Sequence, residues 1–253
     1  RHRETPFLLY YPMILTHSPY QPTPDSPAWD PRATGERVNN RPKHFSDMVA
    51  YTDKMVGNVV AALERHGLRE RTLILFTGDN GTGRGITSRM GDRLVPGGKG
   101  SSRYNGIHVP LVASWPGVVP PGQVSRDLVD TTDFLPTICE AAGVRVPDDP
   151  ALDGRSFLPQ LKGEPGRPRE WIYCWYARNG GAAAQHEFAM NQRFKLYRDG
   201  RFFDLERDRD EQQPLHAAAL AGEASAAHGL LRGALEQFRD ARPAEAAAAG
   251  DSQ

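Results

Sequence analysis

Apolar and polar residues alternate along the first half of the chain in blocks that predict strands and helices in turn. Residues 6–11 form an apolar run that predicts a buried core strand. Residues 46–66 carry apolar side chains at the i, i+3, i+4 and i+7 spacing of an amphipathic helix, and Gly67 follows as a stop signal. Short apolar runs at 72–76 and 109–114 predict two more strands. This order is typical of an α/β fold, and we expect the later part of a mostly parallel sheet sandwiched by helices.

The segment between the first strand and the long helix lacks any such period. Residues 12–45 contain six prolines within twenty positions, which predicts a long loop. Loops of this length in compact domains are usually functional or disordered. The segment is therefore a candidate carrier of site residues, and His17 lies within it.

The composition changes near residues 145–170, where prolines, glycines and the pair Asp148-Asp149 predict a passage to a smaller unit. The elements predicted around this passage are, in chain order, a helix at 133–142, strands at 171–176, 193–197 and 201–205, and a helix at 230–238. We expect a small C-terminal α+β subdomain with a short antiparallel sheet. The predicted boundaries are 1–160 for the later part of the catalytic α/β domain, 161–240 for the subdomain, and 241–253 for a disordered tail.

Composition narrows the function classes. The 253 residues include 31 basic and 31 acidic side chains, and this balance gives no indication of a nucleic-acid partner. No apolar run reaches the roughly 18 residues needed to span a bilayer. Two cysteines, Cys139 and Cys174, form neither a disulfide framework nor a zinc motif. The chain begins without Met or a signal peptide, so we expect that it starts within a longer protein. The compartment of that protein, which could be cytoplasmic, periplasmic or secreted, stays open. A homo-oligomer is also possible from the sequence.

The most informative stretch is at residues 73–81, where an apolar run ends on Asp79, Asn80 and Gly81. Open α/β sheets bind ligands just past the carboxyl ends of their strands. Two side-chain oxygens at such a place suit a hard divalent cation, although the same tripeptide also forms ordinary turns.

Basic side chains accompany this pair. Lys99 follows Asp79 by twenty positions in a glycine-rich loop, which lets an ammonium approach an anion closely but does not match a Walker motif. His17 follows the first predicted strand and is a candidate to bind an anion or protonate a leaving group. His44 and His108 are weaker candidates, since each lies beside a predicted element where a histidine is more often structural. A metal with a lysine indicates chemistry on an anionic ester.

Several longer segments carry an ordered set of motifs. They are 48–81, with Tyr-Thr-Asp-Lys-Met-Val-Gly at 51–57 and Phe-Thr-Gly-Asp-Asn-Gly at 76–81; 98–117, from Gly-Lys-Gly through Val-Pro-Leu to Trp-Pro-Gly; 130–157, ending in Leu-Asp-Gly-Arg-Ser-Phe; and 203–211, with Phe-Asp-Leu, Asp208 and Glu211. As a set, across roughly residues 6–215, they resemble the sulfatase family, the arylsulfatase branch of the alkaline phosphatase superfamily.

The resemblance implies a role for each matching position. Asp79 and Asn80 would be two of four protein ligands to one divalent ion, Ca²⁺ or Mg²⁺. Lys99 and His17 would contact the sulfate or the ester oxygen of a small-molecule or saccharide sulfate ester. In this family a formylglycine hydrate, made from a cysteine, attacks sulfur, while the metal and basic groups offset developing negative charge.

The chain departs from the family pattern at two places. Where the family usually has Glu-Gly-Gly-x-Arg, this chain has Tyr104 to His108, so His108 is a candidate substitute for the arginine and a substrate contact. The nucleophile motif Cys/Ser-x-Pro/Ala-x-Arg is absent. Residues 174–178 place Arg178 at the right offset from Cys174, but a tyrosine occupies the third position and the stretch follows the metal strand, so we interpret it as coincidence.

We therefore predict a sulfuric ester hydrolase that carries part of its metal and sulfate site in this chain. Formylglycine is expected only in an N-terminal portion ahead of Arg1, and the chain alone is expected to have negligible activity. Two alternatives stay open. One is a phosphodiesterase or phosphonate monoester hydrolase of the same superfamily, and the other is a non-catalytic fragment or degenerate homologue that acts as a binding module.

Overall fold

The computed structural model describes residues 5–33, 37, 40–147, 152–177 and 185–241. The predictions for Asp148-Asp149, for Arg178 and for the tail at 242–253 lie outside these residues. The chain divides into two compact units. The first unit comprises Arg1–Lys99 and His108–Pro121, and the second comprises Gly100–Ile107 and Gly122–Gln253.

The first unit contains one long helix and two pairs of short strands among its described residues. Its elements are α1 (Phe45–Arg65), β1 (Ile74–Thr77), β2 (Thr87–Met90), β3 (Arg93–Pro96) and β4 (Leu111–Ser114). β1 pairs with β4, and β2 pairs with β3 as a hairpin; both pairings are antiparallel. The predicted helix and the strands near 72–76 and 109–114 are confirmed, whereas the hairpin was not predicted.

Helix α1 forms where the apolar period places it. Its buried side chains, Met48 and Thr52, lie one turn apart on the same face, and the Thr52 hydroxyl donates to the Met48 carbonyl at 2.8 Å. The helix ends where Gly67 adopts a φ of 64°, a left-handed conformation that glycine enters without steric penalty. His44 precedes α1 and is buried at 5% exposure, in agreement with the structural role expected of it.

The apolar run at residues 6–11 does not form the predicted core strand. These residues have no strand assignment, and the side chains from Phe7 to Tyr11 are 45% to 84% exposed. The prediction of a buried strand here is wrong, because a strand is buried only where neighbouring strands and helices cover it. None of the described residues provides that cover.

The strand pairs found among the described residues are all antiparallel. Helices and sheets both occur, as in an α/β architecture, but the mostly parallel sheet is not confirmed. A four-residue strand such as β1, with β4 as its described partner, does not reveal which neighbours complete a larger sheet. The helices in the described residues are too short or too polar to cross a bilayer.

The second unit is built on a four-stranded antiparallel sheet. Its strands are β5 (Ile172–Ala177), β6 (Gln185–Met190), β7 (Phe194–Tyr197) and β8 (Phe202–Asp204), hydrogen-bonded in the order β5-β6-β7-β8. Its helices are α2 (Tyr104–Ile107), α3 (Phe134–Ala141), α4 (Leu158–Leu161) and α5 (Gly222–Gln237). The predicted C-terminal antiparallel sheet is therefore present, β6 was missed, and the last helix begins earlier than predicted.

The sheet of the second unit is covered on both faces. One face carries Phe194, Leu196 and Phe202, which pack against Leu231 and other apolar residues of α5. The opposite face carries Phe188, Tyr197 and Phe203, against which Tyr104 and Ile107 of α2 pack. Successive residues of a strand point to opposite faces, so a strand covered on both sides is apolar at nearly every position. This explains why β7 is buried throughout.

Candidate active site

The predicted metal pair begins two residues after the last residue of β1. Thr77 of β1 pairs with Leu111 of β4, and Gly78 lies against the Val109 side chain. The register therefore sets Asp79 and Asn80 beside the residues that lead into β4. Asp79 is exposed and Asn80 is partly exposed. Among the described residues the Asp79 carboxylate has no hydrogen-bond or ion-pair partner, so its oxygens are available to a ligand.

Lys99 is tied to the chain just beyond this pair. Its main-chain N–H donates to the carbonyl of Thr82 at 2.9 Å. The side chain of Lys99 has no partner in the described part of the chain, and the residue is partly exposed. The backbone hydrogen bond thus brings the loop that carries the predicted lysine to the segment that carries Asp79 and Asn80.

A close approach of two glycines makes this hydrogen bond feasible. Gly97 lies so near the Gly83 carbonyl that a Cβ at residue 97 would overlap it. Gly97 N–H donates to the Ile86 carbonyl at 2.7 Å, and Ile86 N–H donates to the Gly83 carbonyl at 3.0 Å. The hairpin β2–β3 joins these residues, so its two ends converge beside the predicted site.

The loop that carries His17 reaches the same segment through Tyr20. The Tyr20 hydroxyl lies close enough to Gly83 that a Cβ there would overlap it. Tyr20 is itself held by its main-chain N–H, which donates to Asn40 at 2.9 Å, and by an edge-to-face contact with Phe45. The structure thereby brings the segment 17–20 to the residues that follow Asn80.

His17 has a defined tautomer in this loop. Its Nδ1 lies 2.6 Å from the carbonyl oxygen of Ser18. Because a carbonyl only accepts, Nδ1 carries the hydrogen, and the Nε2 of a neutral ring has a free lone pair. The residue is exposed, so Nε2 is open to a ligand.

His108 is exposed and stands immediately before Val109. Since Val109 lies against Gly78, the stretch of chain that carries His108 passes close to the predicted metal pair. It has contacts of its own within the protein. Direct side-chain contacts among His17, Asp79, Asn80 and Lys99 are not found in the described residues, so the joint site of these residues with His108 stays a prediction.

The donor set at Asp79 and Asn80 fits part of a divalent-ion site. A carboxylate and a carboxamide supply the oxygens that Ca²⁺ and Mg²⁺ prefer. Within the described residues no cluster of three or more histidine, cysteine or carboxylate side chains could hold a metal. The two residues therefore fit an ion whose remaining ligands come from elsewhere.

Cys174 does not have the properties of a nucleophile. It lies in β5, and burial raises the pKa of its thiol to about 11. A thiol with this pKa is almost entirely protonated near neutral pH and reacts slowly. The interpretation of residues 174–178 as a coincidental match rests instead on the tyrosine at the third position, because the family's nucleophile is a formylglycine and not a thiol; Arg178 lies outside the described residues.

Sequence reasoning missed the residues that hold the site segments together. Thr82, Arg84, Gly83 and Tyr20 make these contacts, and none was singled out. The repeated glycines at 81, 83 and 85 opposite those at 97 and 98 were the available signal, because glycine often marks close approach of two backbones.

Comparisons with known proteins agree with the motif order. The family model described as sulfatase matches residues 1–144, and a model described as N-sulphoglucosamine sulphohydrolase, C-terminal, matches residues 102–232. Human arylsulfatase D is 31% identical over 206 residues, covering 78% of this chain and 33% of that protein. Human arylsulfatase A is 34% identical over 174 residues, which cover 68% of this chain and 32% of that protein. Steryl-sulfatase of Rattus norvegicus is 32% identical over 169 residues, which cover 64% of this chain and 28% of that protein.

Solved structures agree at the level of the fold. A protein solved in complex with its substrate D-glucosamine-2-N,6-O-disulfate superposes with a TM-score of 0.64 at 23% identity, covering 84% of this chain and 44% of that one. A sulfatase from Pseudoalteromonas sp. gives a TM-score of 0.60 at 22% identity, covering 83% and 45%. The chain spans about a third of the length of the curated relatives described above. From the family model that matches more than half of its residues, and from these relatives, the chain belongs to the sulfatase family.

Proposed function

We propose that the protein containing this chain hydrolyses sulfate monoesters of small molecules or saccharides. Asp79 and Asn80 would hold one divalent ion, Ca²⁺ or Mg²⁺, and Lys99 and His17 would contact the sulfate or the ester oxygen. His108 would be an additional substrate contact. The relatives' names support this substrate class, since they include arylsulfatases, a steryl-sulfatase and an N-acetylgalactosamine-6-sulfatase.

The hydrogen bond from the Lys99 N–H to the Thr82 carbonyl is the observation that carries the proposal. It brings the loop of a cation with no partner in the described residues to the chain just past Asp79 and Asn80. A lysine beside a metal pair provides positive charge where negative charge develops during ester cleavage. The ion would supply Lewis-acid stabilisation of that charge when bound.

His17 suits the leaving-group side of such a site. Its Nδ1 is held by the Ser18 carbonyl, so Nε2 is the atom that would exchange a proton with the ester oxygen.

The remainder of the site would come from outside this chain. Members of the family use a formylglycine nucleophile, and this chain lacks the motif that produces it. We infer that the nucleophile and the other metal ligands belong to further residues of a longer protein. The same residues would complete a mostly parallel sheet around β1. The divisions at 1–160, 161–240 and 241–253 remain part of this proposal.

Turnover by the full-length protein tests the proposal. We expect hydrolysis of 4-nitrophenyl sulfate, lost on metal removal with EDTA and restored by Ca²⁺ or Mg²⁺. Asp79→Ala and Lys99→Ala should each lower kcat about a hundredfold or more. Asp92→Ala and Lys43→Ala are matched controls, because both residues are exposed and neither belongs to the proposed site.

Other substrates separate the alternatives. Faster hydrolysis of bis(4-nitrophenyl) phosphate than of the sulfate would favour a phosphodiesterase. No turnover of either ester by a folded full-length protein that contains the formylglycine would favour a binding module. Unchanged turnover in Asp79→Ala would contradict the metal assignment.

A further inference from the structure

The main chain of Lys99 is held on both sides by residues that follow the metal pair. Its N–H donates to the carbonyl of Thr82 at 2.9 Å, and its carbonyl accepts a hydrogen bond from Nε of Arg84 at 3.2 Å. Both of its main-chain polar groups are thus used by residues 82 and 84. Arg84 is exposed, so water competes for this hydrogen bond, while the charge of the guanidinium assists its donor.

The partners of Lys99 belong to the same short segment as Asp79 and Asn80. Thr82 follows Asn80 by two positions and Arg84 follows it by four. Two to four residues span at most about 7 to 14 Å even when fully extended. Whatever holds Lys99 to Thr82 and Arg84 therefore also keeps its main chain near the proposed metal ligands.

The backbones of Gly83 and Gly97 are in close contact. A side chain at residue 97 would overlap the Gly83 carbonyl, so the two backbones touch without an intervening atom. Ile86, which is 5% exposed, closes the base of the hairpin through its hydrogen bonds to Gly83 and Gly97. These contacts hold the end of the hairpin that leads into Lys99 against Gly83 and Ile86.

We propose that Arg84 is a positioning residue, which fixes Lys99 relative to Asp79 and Asn80 through the Lys99 carbonyl. This inference rests on the proposed function, in which Lys99 contacts the sulfate. Arg84 itself need not touch the substrate. Its effect on catalysis passes through the placement of Lys99, and a misplacement of about 1 Å can reduce a rate about a hundredfold.

A double-mutant cycle in the full-length protein tests the proposal. Arg84→Met removes the donor while keeping a long side chain, and Lys99→Ala removes the group that is positioned. If Arg84 acts through Lys99, Arg84→Met lowers kcat/KM about tenfold to a hundredfold in the parent and less than twofold in the Lys99→Ala background. Arg84→Lys, which keeps a charged donor, should recover part of the activity.

Two controls separate positioning from loss of charge or of folding. Arg93→Met removes an exposed arginine from the same hairpin, and it should leave kcat/KM within about twofold of the parent. The melting temperature of Arg84→Met should stay near that of the parent. Amide hydrogen exchange in residues 97–100 should accelerate in Arg84→Met and remain unchanged in Arg93→Met.

The outcomes distinguish this inference from the proposed function. If Lys99→Ala leaves turnover unchanged, the role of Lys99 in the proposed function fails. If Lys99→Ala reduces turnover but Arg84→Met has the same effect in both backgrounds, Arg84 does not act through Lys99 and the positioning role is overturned. An equal loss in Arg93→Met would likewise overturn it, since the effect would then follow net charge.

Discussion

The ammonium nitrogen of Lys195 lies 2.9 Å from Oε1 of Glu211, and the two side chains are 0% and 3% exposed. The lysine also donates to the main-chain carbonyl of Ser102 and lies 4.0 Å from the centre of the Phe188 ring. The Tyr197 hydroxyl donates to the other oxygen of Glu211 at 2.5 Å. Both charges therefore have several hydrogen-bonding or cation–π partners inside the second unit, which is the condition for a buried pair to persist.

Breaking this pair on one side should destabilise the protein strongly. Lys195→Met leaves the Glu211 carboxylate buried without its cation, so we expect the free energy of unfolding to fall by about 3 to 5 kcal/mol. The double variant Lys195→Met/Glu211→Leu should be less destabilised than Lys195→Met, because no buried charge remains. Urea denaturation followed by circular dichroism measures both.

The exposed pair Lys54–Asp25 is the matched control for this experiment. Its nitrogen and oxygen are 2.7 Å apart, but both side chains are about half exposed, at 50% and 51%. Lys54→Met should leave the urea midpoint unchanged within error. A double variant less stable than Lys195→Met alone would contradict the burial argument.

The partly buried thiol of Cys174 should make stability depend on alkaline pH. Burial raises its pKa from the ordinary 9.0 to about 11. Because the folded-state pKa is the higher one, the stability linked to this proton is complete below pH 9 and is lost as the pH rises toward 11. Two pKa units correspond to about 2 to 3 kcal/mol.

Comparison with Cys174→Ala reports the contribution of the thiol together with its electrostatic interaction with Lys195. The variant keeps Tyr197, so the contribution of that side chain appears in both proteins. We expect the stability difference between parent and variant to narrow by about 2 to 3 kcal/mol between pH 8 and pH 11. A difference that stays constant over this range would show that the thiol is not shielded from solvent.

The Asp133 carboxylate, directly before α3, binds Arg155 and Arg169 from the segment that leads to the antiparallel sheet. Its two carboxylate oxygens accept hydrogen bonds from Arg169 at 2.6 and 2.7 Å, and it also accepts from the main-chain N–H of Arg155 at 2.8 Å. The side chains of Asp133 and Arg169 are 2% and 6% exposed. Asp133→Asn would leave Arg169 without its counter-charge in a buried place, so we expect a loss of about 3 kcal/mol or more in unfolding free energy. Asp30→Asn, at a half-exposed surface pair, should have little effect.

A helix or strand could be predicted from the sequence where its own segment contains the full pattern of apolar and polar residues. Helix α1 and strands β1, β4, β5, β7 and β8 follow apolar patterns that are complete within each segment. The hairpin β2–β3 was missed because all but one of its residues are exposed, so it has no apolar period. Its signal was the turn at Gly91, which has a φ of 60°. The run at 6–11 failed for the opposite reason, since its apolar pattern predicts burial that only other chain segments can provide.

The candidate site likewise has residues that the sequence suggests and contacts that only the structure shows. The sequence alone suggests Asp79, Asn80 and Lys99, because it shows both their side-chain chemistry and their positions in the motifs. The contacts of Arg84 and Tyr20 could not be predicted from the sequence, because they depend on the approach of Gly83 to Gly97 and of residue 20 to residue 83. Such contacts are set by the tertiary path of the backbone, which residue spacing alone does not give.

Gly154, within the Leu-Asp-Gly-Arg-Ser-Phe motif, should be intolerant of any side chain. A Cβ at this position would overlap the main-chain carbonyl of Thr132, which cannot move aside as a side-chain end would. Its φ is not among the positive values, so the constraint is steric rather than conformational. We expect Gly154→Ala to lower the free energy of unfolding by about 1 to 3 kcal/mol, as overpacking does.

Gly229→Ala is the matched control, because Gly229 lies inside α5 with nothing within 4 Å of an added Cβ. That substitution should stabilise the protein by up to about 1 kcal/mol through helix propensity. Chemical denaturation of the two variants beside the parent should give shifts of opposite sign, and shifts of the same sign would contradict the steric explanation.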